Sequence, residues 1–382
     1  MNSFKLSSFQ KFICLILIVV LVVFAVGFAA EGWQPPAEDI PNDGDENNNS
    51  NNNEENNDQQ IPDTGNNDNS GNNNEGSNET PDEPEIPTYI SVATGLQITE
   101  GEFNATPMGI VVDPMMPMYG ISDSDISIEF PIEDGSSRML CYTTCEDVMW
   151  KIGCLKATRD YISSMSSFFG GIVVSYGKDD IVAYDAWETD KLELDLSAHA
   201  DCFYVENTLY VYTSESLIES AKEREKETLN SVGYANMPYS FADKDSSVGK
   251  NEATVVNIPY SLQNETTLYY NELTMQYLYY KSGNRKMDML TGKNVAFTNV
   301  FVLFSNATTF ENSSGSQLVI DTVSGGKGYY ISSGKLAEFN WSTDRSGNLI
   351  FKNLMGEKLS VNRGNSYIAF FKASNSSKIT FS

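Results

Sequence analysis

Three acids and three bases in one stretch of this chain could do chemistry together: Asp125, Glu129 and Glu133, then Arg138, Lys156 and Arg159. Asp125 and Glu129 are an even number of residues apart, so on one extended strand their side chains share a face. Paired carboxylates near arginine can divide acid and base roles, or hold a cationic ligand. The commoner arrangement is structural, a cluster of ion pairs between strand ends and the following helix. On that reading, replacing Arg138 or Arg159 lowers stability rather than binding.

Four further motifs invite chemistry and have plainer alternatives. Cys141, Cys145, Cys154 and Cys202 could form two disulfides in an exported body, or fill small gaps in a core. Their spacing is not that of a zinc site, so no metal is expected. His199 stands beside Asp201, but no nucleophile signature accompanies the pair, and a surface-loop histidine is expected. Gly325-Gly326-Lys327-Gly328 lacks the full phosphate-loop spacing and runs on into Tyr329-Tyr330, which reads as a turn before a strand. Tyr269-Tyr270, Tyr277, Tyr279-Tyr280 and Tyr329-Tyr330 could stack on a glycan or peptide, or pack across strands. No cofactor motif is present.

The elements that must position these residues are mostly strands. Residues 108–113, 125–130 and 137–144 are apolar or alternating runs. Residues 157–169 have apolar positions near helical spacing and stop at Gly170-Gly171, before a buried-strand pattern at 171–176. Ser214 caps an amphipathic helix over 214–226. Polar residues 233–252 read as a boundary or long loop. From Ala253 onward the chain is nearly all strand, with candidates at 253–259, 266–272, 274–281, 296–304, 317–322, 328–332, 335–342, 348–352 and 365–372. The expected class is α+β: a strand-rich body with an α/β-type N-terminal lobe (89–232) and a mostly β C-terminal lobe (253–382).

Charge is distributed unevenly along the 382 residues, whose formal total is −27. Lys5 and Lys11 are the only charges in the first 30 residues, and Phe12 to Ala30 is entirely apolar or small. Nineteen residues at about 1.5 Å each give roughly 28 Å of helix, close to the thickness of a bilayer core. Residues 1–30 therefore read as a single-pass anchor with residues 31–382 outside, by the positive-inside rule. A cleaved signal sequence ending near Gly27-Phe28-Ala29 would export the same body. Residues 31–88 hold 16 acids, 16 asparagines and no base, a composition that stays disordered and makes a spacer. The stretch Asn66-Asn67-Asp68 resembles the start of a calcium loop, but Ser77 stands where the closing glutamate belongs. The acidic balance excludes nucleic acid as a partner, and a single histidine excludes multi-histidine metal centres.

Several motifs, in order, carry a family resemblance. Pro107–Asp113 looks like an opening strand, and Ser124–Glu129 is similar to Ala-Asp-Ile-Val-Tyr-Glu. Glu133–Arg138 is similar to Glu-Gly-Gly-Ile-Thr-Arg, and Ile152–Arg159 to Ile-Gly-Pro-Val-Arg-Ser-Ala-Arg. In the second half, Met287–Gly292 with Asn299-Val300, and Gly325–Tyr330, fit the C-terminal domain. Together they resemble the YerB-like family, a bacterial extracytoplasmic family of unknown function, over roughly residues 105–375. The resemblance implies a body anchored on the outer face of the membrane. It places Asp125, Glu129, Glu133, Arg138, Lys156 and Arg159 on matching positions and adds Asp288 to the candidate ligand-binding set. The family pattern has histidines at three places where this chain has Ser175, about Leu209, and Lys286, so a ligand held by those histidines would not be held the same way here. The expected role is a non-enzymatic, envelope-associated binding or interaction module with a cell-wall or protein partner. The rival is a hydrolase of envelope polymers working through the carboxylates.

Overall fold

The structure is a computed structural model that describes residues 88–144, 149–178, 192–230, 232–244, 248–312 and 315–382. The expected anchor, nearly all of the expected spacer, Cys14 and Cys145 lie outside those residues. Among the described residues no helix is long and apolar enough to cross a membrane.

The strands that organise the molecule are β1 (Met108–Val112), β2 (Ile126–Pro131), β3 (Ser137–Thr143), β4 (Ile172–Ser175), β5 (Glu193–Asp195) and β6 (Tyr210–Thr213) in the first half. The second half supplies β7 (Val255–Pro259), β8 (Glu265–Asn271), β9 (Gln276–Lys281), β10 (Asn299–Ser305), β11 (Ala307–Asn312), β12 (Gly315–Ile320), β13 (Gly326–Ser332), β14 (Lys335–Thr343), β15 (Leu349–Asn353) and β16 (Ser366–Lys372). The helices are α1 (Asp160–Ser163), α2 (Met165–Phe169) and α3 (Glu215–Glu225). The body is thus a strand-rich α+β fold.

One mixed sheet runs through both halves in the order β14-β13-β10-β16-β2-β3-β1-β4-β5, with β15 added beside β14. The last long strand, β16, lies parallel to both β10 and β2 and joins the halves. Near-continuous apolar runs such as MGIVV in β1 and NVFVLFS in β10 explain why these strands take the middle, where both faces are covered. One face carries Ile126, Ile128, Phe130, Phe301 and Phe370, against α1, α2 and the β11–β12 hairpin. The other carries Val112, Met139, Val302 and Ala369, against α3 and a second sheet of β9, β8 and β7.

One local departure from the sequence reading has a physical reason. The helix expected over 157–169 begins only at Asp160 and is divided at Ser164. The chain leading into it is held in strand-like pairing, with Lys156 N–H donating to Val111 and, inside the expected helix, Thr158 N–H donating to Gly177. Helix α3 forms as expected, because Ser214 caps it and Lys222 and Arg224 sit in its last turn, favourable to the helix dipole.

Candidate functional site

The seven predicted site residues do not converge on one place. Asp125 precedes β2 and Glu133 follows it, with Glu129 between, so about 20 Å of strand separates the two ends. The strand therefore delivers its carboxylates to three environments.

Glu129 points inward, toward the second sheet, and is fully buried. Its Oε1 accepts from Lys281 Nζ at 2.5 Å and Ser137 Oγ at 2.5 Å. Its Oε2 accepts from Thr266 Oγ1 at 2.9 Å, Tyr279 OH at 3.0 Å and Tyr367 OH at 2.5 Å. Burial alone would raise its pKa; the Lys281 charge and the surrounding donors outweigh that and hold it below the ordinary glutamate value. Lys281 is as sealed as its partner and also donates to Thr266. A carboxylate saturated in this way stabilises a core and has no lone pair left for a substrate.

Past the end of β2 the charges pair among themselves. Arg159 Nη2 donates to Glu133 at 2.5 Å, and Lys156 lies 3.5 Å from Asp113. Burial would raise the Glu133 carboxyl, but the Arg159 bond and charge together with backbone donors outweigh it and hold it low. Arg138 projects from β3 beside them, donates to the Ser137 carbonyl, and has its affinity for the proton lowered by burial. Asp288 is elsewhere again, buried, with its carboxylate accepting backbone N–H groups of Gly120 (3.0 Å), Ile121 (2.6 Å), Ser122 (2.8 Å) and Leu290 (2.8 Å). It clasps the 120–122 loop to its own turn and presents no free oxygen.

Asp125 alone of the seven lines a broad cleft of mixed polar and apolar surface, of about 540 Å³. The cleft is walled by Ser122 and Asp123, by Asn271 and Gln276 at the ends of β8 and β9, and by Lys293, Asn294, Thr298 and Asn365. Leu96, Ile98 and Leu278 give it apolar surface. Asp125 accepts from Tyr234 OH at 2.7 Å and Thr144 Oγ1 at 3.3 Å. Burial, offset only partly by these two hydroxyls, pushes its pKa up to about 6. At the rim, Lys293 pairs with Asp123 at 2.9 Å. A titratable carboxyl perturbed by desolvation inside a cleft is a candidate functional group.

None of the partners that decide these environments was legible in the sequence reading. Lys281, Tyr279 and Tyr367 lie 150 to 238 residues from Glu129. The one available signal was period two in β9, which puts Tyr277, Tyr279 and Lys281 on a single face.

The other motifs resolve simply. Cys141, Cys154 and Cys202 are buried free thiols, and burial pushes Cys141 up to about 12, so the small-hydrophobe reading applies to these three. His199 bonds Glu225 of α3 at 2.7 Å, with little of its side chain exposed, while Asp201 pairs with Arg224 at 2.6 Å. The adjacent His-Asp therefore serves two separate anchors of α3. Tyr277, Tyr279 and Tyr330 are buried, and Tyr269–Tyr280 and Tyr270–Tyr277 are cross-strand contacts at 4.8 and 5.1 Å. Gly326 and Gly328 open strand β13, where a Cβ would come within 2.3 Å of the Phe304 carbonyl and 2.7 Å of the Phe339 ring. Main-chain packing, not a phosphate loop, requires those glycines.

Comparison with known proteins covers both halves. Residues 256–368 match the model described as the C-terminal domain of a protein of unknown function, DUF3048. YerB of Bacillus subtilis (strain 168), named as a candidate lipoprotein, is 26% identical over 259 residues, 65% of this chain and 76% of YerB. The chain is similar to YerB over both halves of its body. The crystal structure of Bacillus subtilis YerB shares its fold, with a TM-score of 0.66 at 22% identity over 77% of this chain and 99% of that one. Where the resemblance led histidines to be expected in relatives, Ser175 ends β4 and is buried, Leu209 is exposed before β6, and Lys286 donates to the Met116 carbonyl at 2.8 Å.

Proposed function

We propose that this chain is a membrane-tethered, extracytoplasmic binding module that takes a small polar ligand in the Asp125 cleft. The apolar run Phe12–Ala30 and the acidic spacer after it support a single-pass tether with the body outside. A relative named as a candidate lipoprotein supports membrane attachment of some kind. The observation that carries the binding role is the cleft itself. It is of ligand size, lined by amides and hydroxyls, and holds one carboxyl with pKa about 6 that the fold does not saturate. Its chemistry suits a polar fragment of the cell wall, or a partner's loop, that offers a cation or hydrogen-bond donors to Asp125. Titration of the full-length chain with soluble muropeptides is the test. Saturable binding that tightens as pH rises through about 6, without turnover, supports the module; no binding at any pH refutes it.

One observation favours a second reading. Asp123 and Asp125 line the same cleft, one ion-paired with Lys293 and the other with its pKa raised. Two carboxyls in unlike environments are what an acid–base hydrolase of envelope polymers uses. Turnover of muropeptides by wild type, abolished in Asp125→Asn, would support that reading. Glu133→Gln should leave either activity intact, because Glu133 belongs to the Arg159 pair at the far end of β2.

A further inference from the structure

A second cavity, of about 510 Å³, lies over the far side of the main sheet from β2, where the glycine-rich stretch enters β13. It is lined by Phe304 and Tyr329, by Lys327 and Glu338, and by Ser376 and Ser377 of the short helical turn after β16. Tyr329 stands edge-on to Phe304 at 5.4 Å and to Phe381 at 5.1 Å, which makes one wall aromatic and fixed. Lys327 and Glu338 are exposed, and among the described residues neither takes part in an ion pair. The register places them together: Lys327 pairs with Asn340 and Tyr329 with Glu338. Lys327 and Glu338 are therefore diagonal neighbours on one face, about 7–8 Å apart at their backbones.

We infer that this cavity binds a short zwitterionic peptide, with its carboxylate on Lys327 and its ammonium on Glu338. An extended dipeptide separates its terminal charges by about two residues of strand, roughly 7 Å. The Tyr329–Phe304 wall would pack a peptide side chain, and Ser376 and Ser377, which line the same cavity, would supply hydroxyls to the central amide. This site shares no residue with the Asp125 cleft and stands or falls separately from it.

The test uses L-alanyl-L-alanine, its N-acetyl form and its C-terminal amide, titrated into the full-length chain by calorimetry. The free dipeptide should bind saturably, and each capped form should bind at least tenfold more weakly. In Lys327→Ala the amide and the free dipeptide should become equivalent; in Glu338→Gln the acetyl form and the free dipeptide should. Both positions are exposed, so the variants should keep the wild-type melting temperature. No saturable binding by wild type up to 10 mM (about −2.7 kcal/mol or weaker), or binding indifferent to both caps and both substitutions, would overturn the proposal.

Discussion

Glu129 and Asp125 lie four residues apart on one stretch of chain and meet opposite fates. Glu129 turns into the space between two sheets, where Lys281, Ser137, Thr266, Tyr279 and Tyr367 occupy both of its oxygens. Asp125 stops at the mouth of a cleft and receives two hydroxyls but no cation. Both are desolvated, and burial pushes both toward the neutral acid. The supply of donors then decides the outcome, keeping one carboxylate as a structural centre and leaving the other poised near neutral pH. Residue type and spacing alone treat the two as a pair; what separates them is the chemistry of strands far away in sequence.

The sharpest way to break this contrast is at the sealed centre. Lys281→Met should lower stability by about 3–5 kcal/mol, because it leaves Glu129 charged and buried without its cation. A chemical-denaturation curve measures it. Adding Glu129→Leu should recover part of the loss, since removing a buried pair costs less than breaking it. A Lys281→Met protein as stable as wild type would mean that the centre is not structural. Asp288→Asn should come next, costing about 1.5–3 kcal/mol through weakened charge-assisted bonds to the 120–122 loop, with faster amide exchange there. At the rim, Arg159→Ala should cost about 1–2 kcal/mol and leave ligand binding at the cleft unchanged.

The smallest effect on stability sharpens the contrast from the other side. The folded-state pKa of Asp125 is about 6 against an ordinary value of 3.8. Its contribution is therefore fully present below pH about 4 and is lost as pH rises through 6. Asp125→Asn should be about 1 kcal/mol more stable than wild type at pH 7, and the difference should vanish below pH 4. Glu129 runs the other way. Its lowered pKa contributes stability that is present above the ordinary glutamate value and lost in more acid solution. Melting curves of wild type and Asp125→Asn from about pH 2 to pH 8 would separate the two slopes.

Much of the architecture was readable from pattern. The runs at 108–113, 253–259 and 365–372 carry strand periodicity strongly enough that their bounds shift by only a residue or two. Pairing was not readable, because β16 joins β2 from more than 200 residues away and nothing local in SYIAFFK names its neighbour. The candidate site was half legible for the same reason. Even spacing put Asp125 and Glu129 in one frame, but strand length set Glu133 and Arg138 toward the far end, and Asp288 was drawn into loop bonds. The helix expected at 157–169 shows the limit at shorter range, where apolar spacing lost to extended backbone pairing that runs through Lys156 and Thr158.

Calorimetric titration of muropeptides into wild type, Asp125→Asn and Glu133→Gln at pH 5 and pH 7.5 tests the central claim most directly. Wild type and Glu133→Gln should bind alike and more tightly at pH 7.5, while Asp125→Asn should lose at least tenfold in affinity at pH 7.5 and show no pH dependence (a loss of about 1.4 kcal/mol). Equal binding by wild type and Asp125→Asn at both pH values would contradict it.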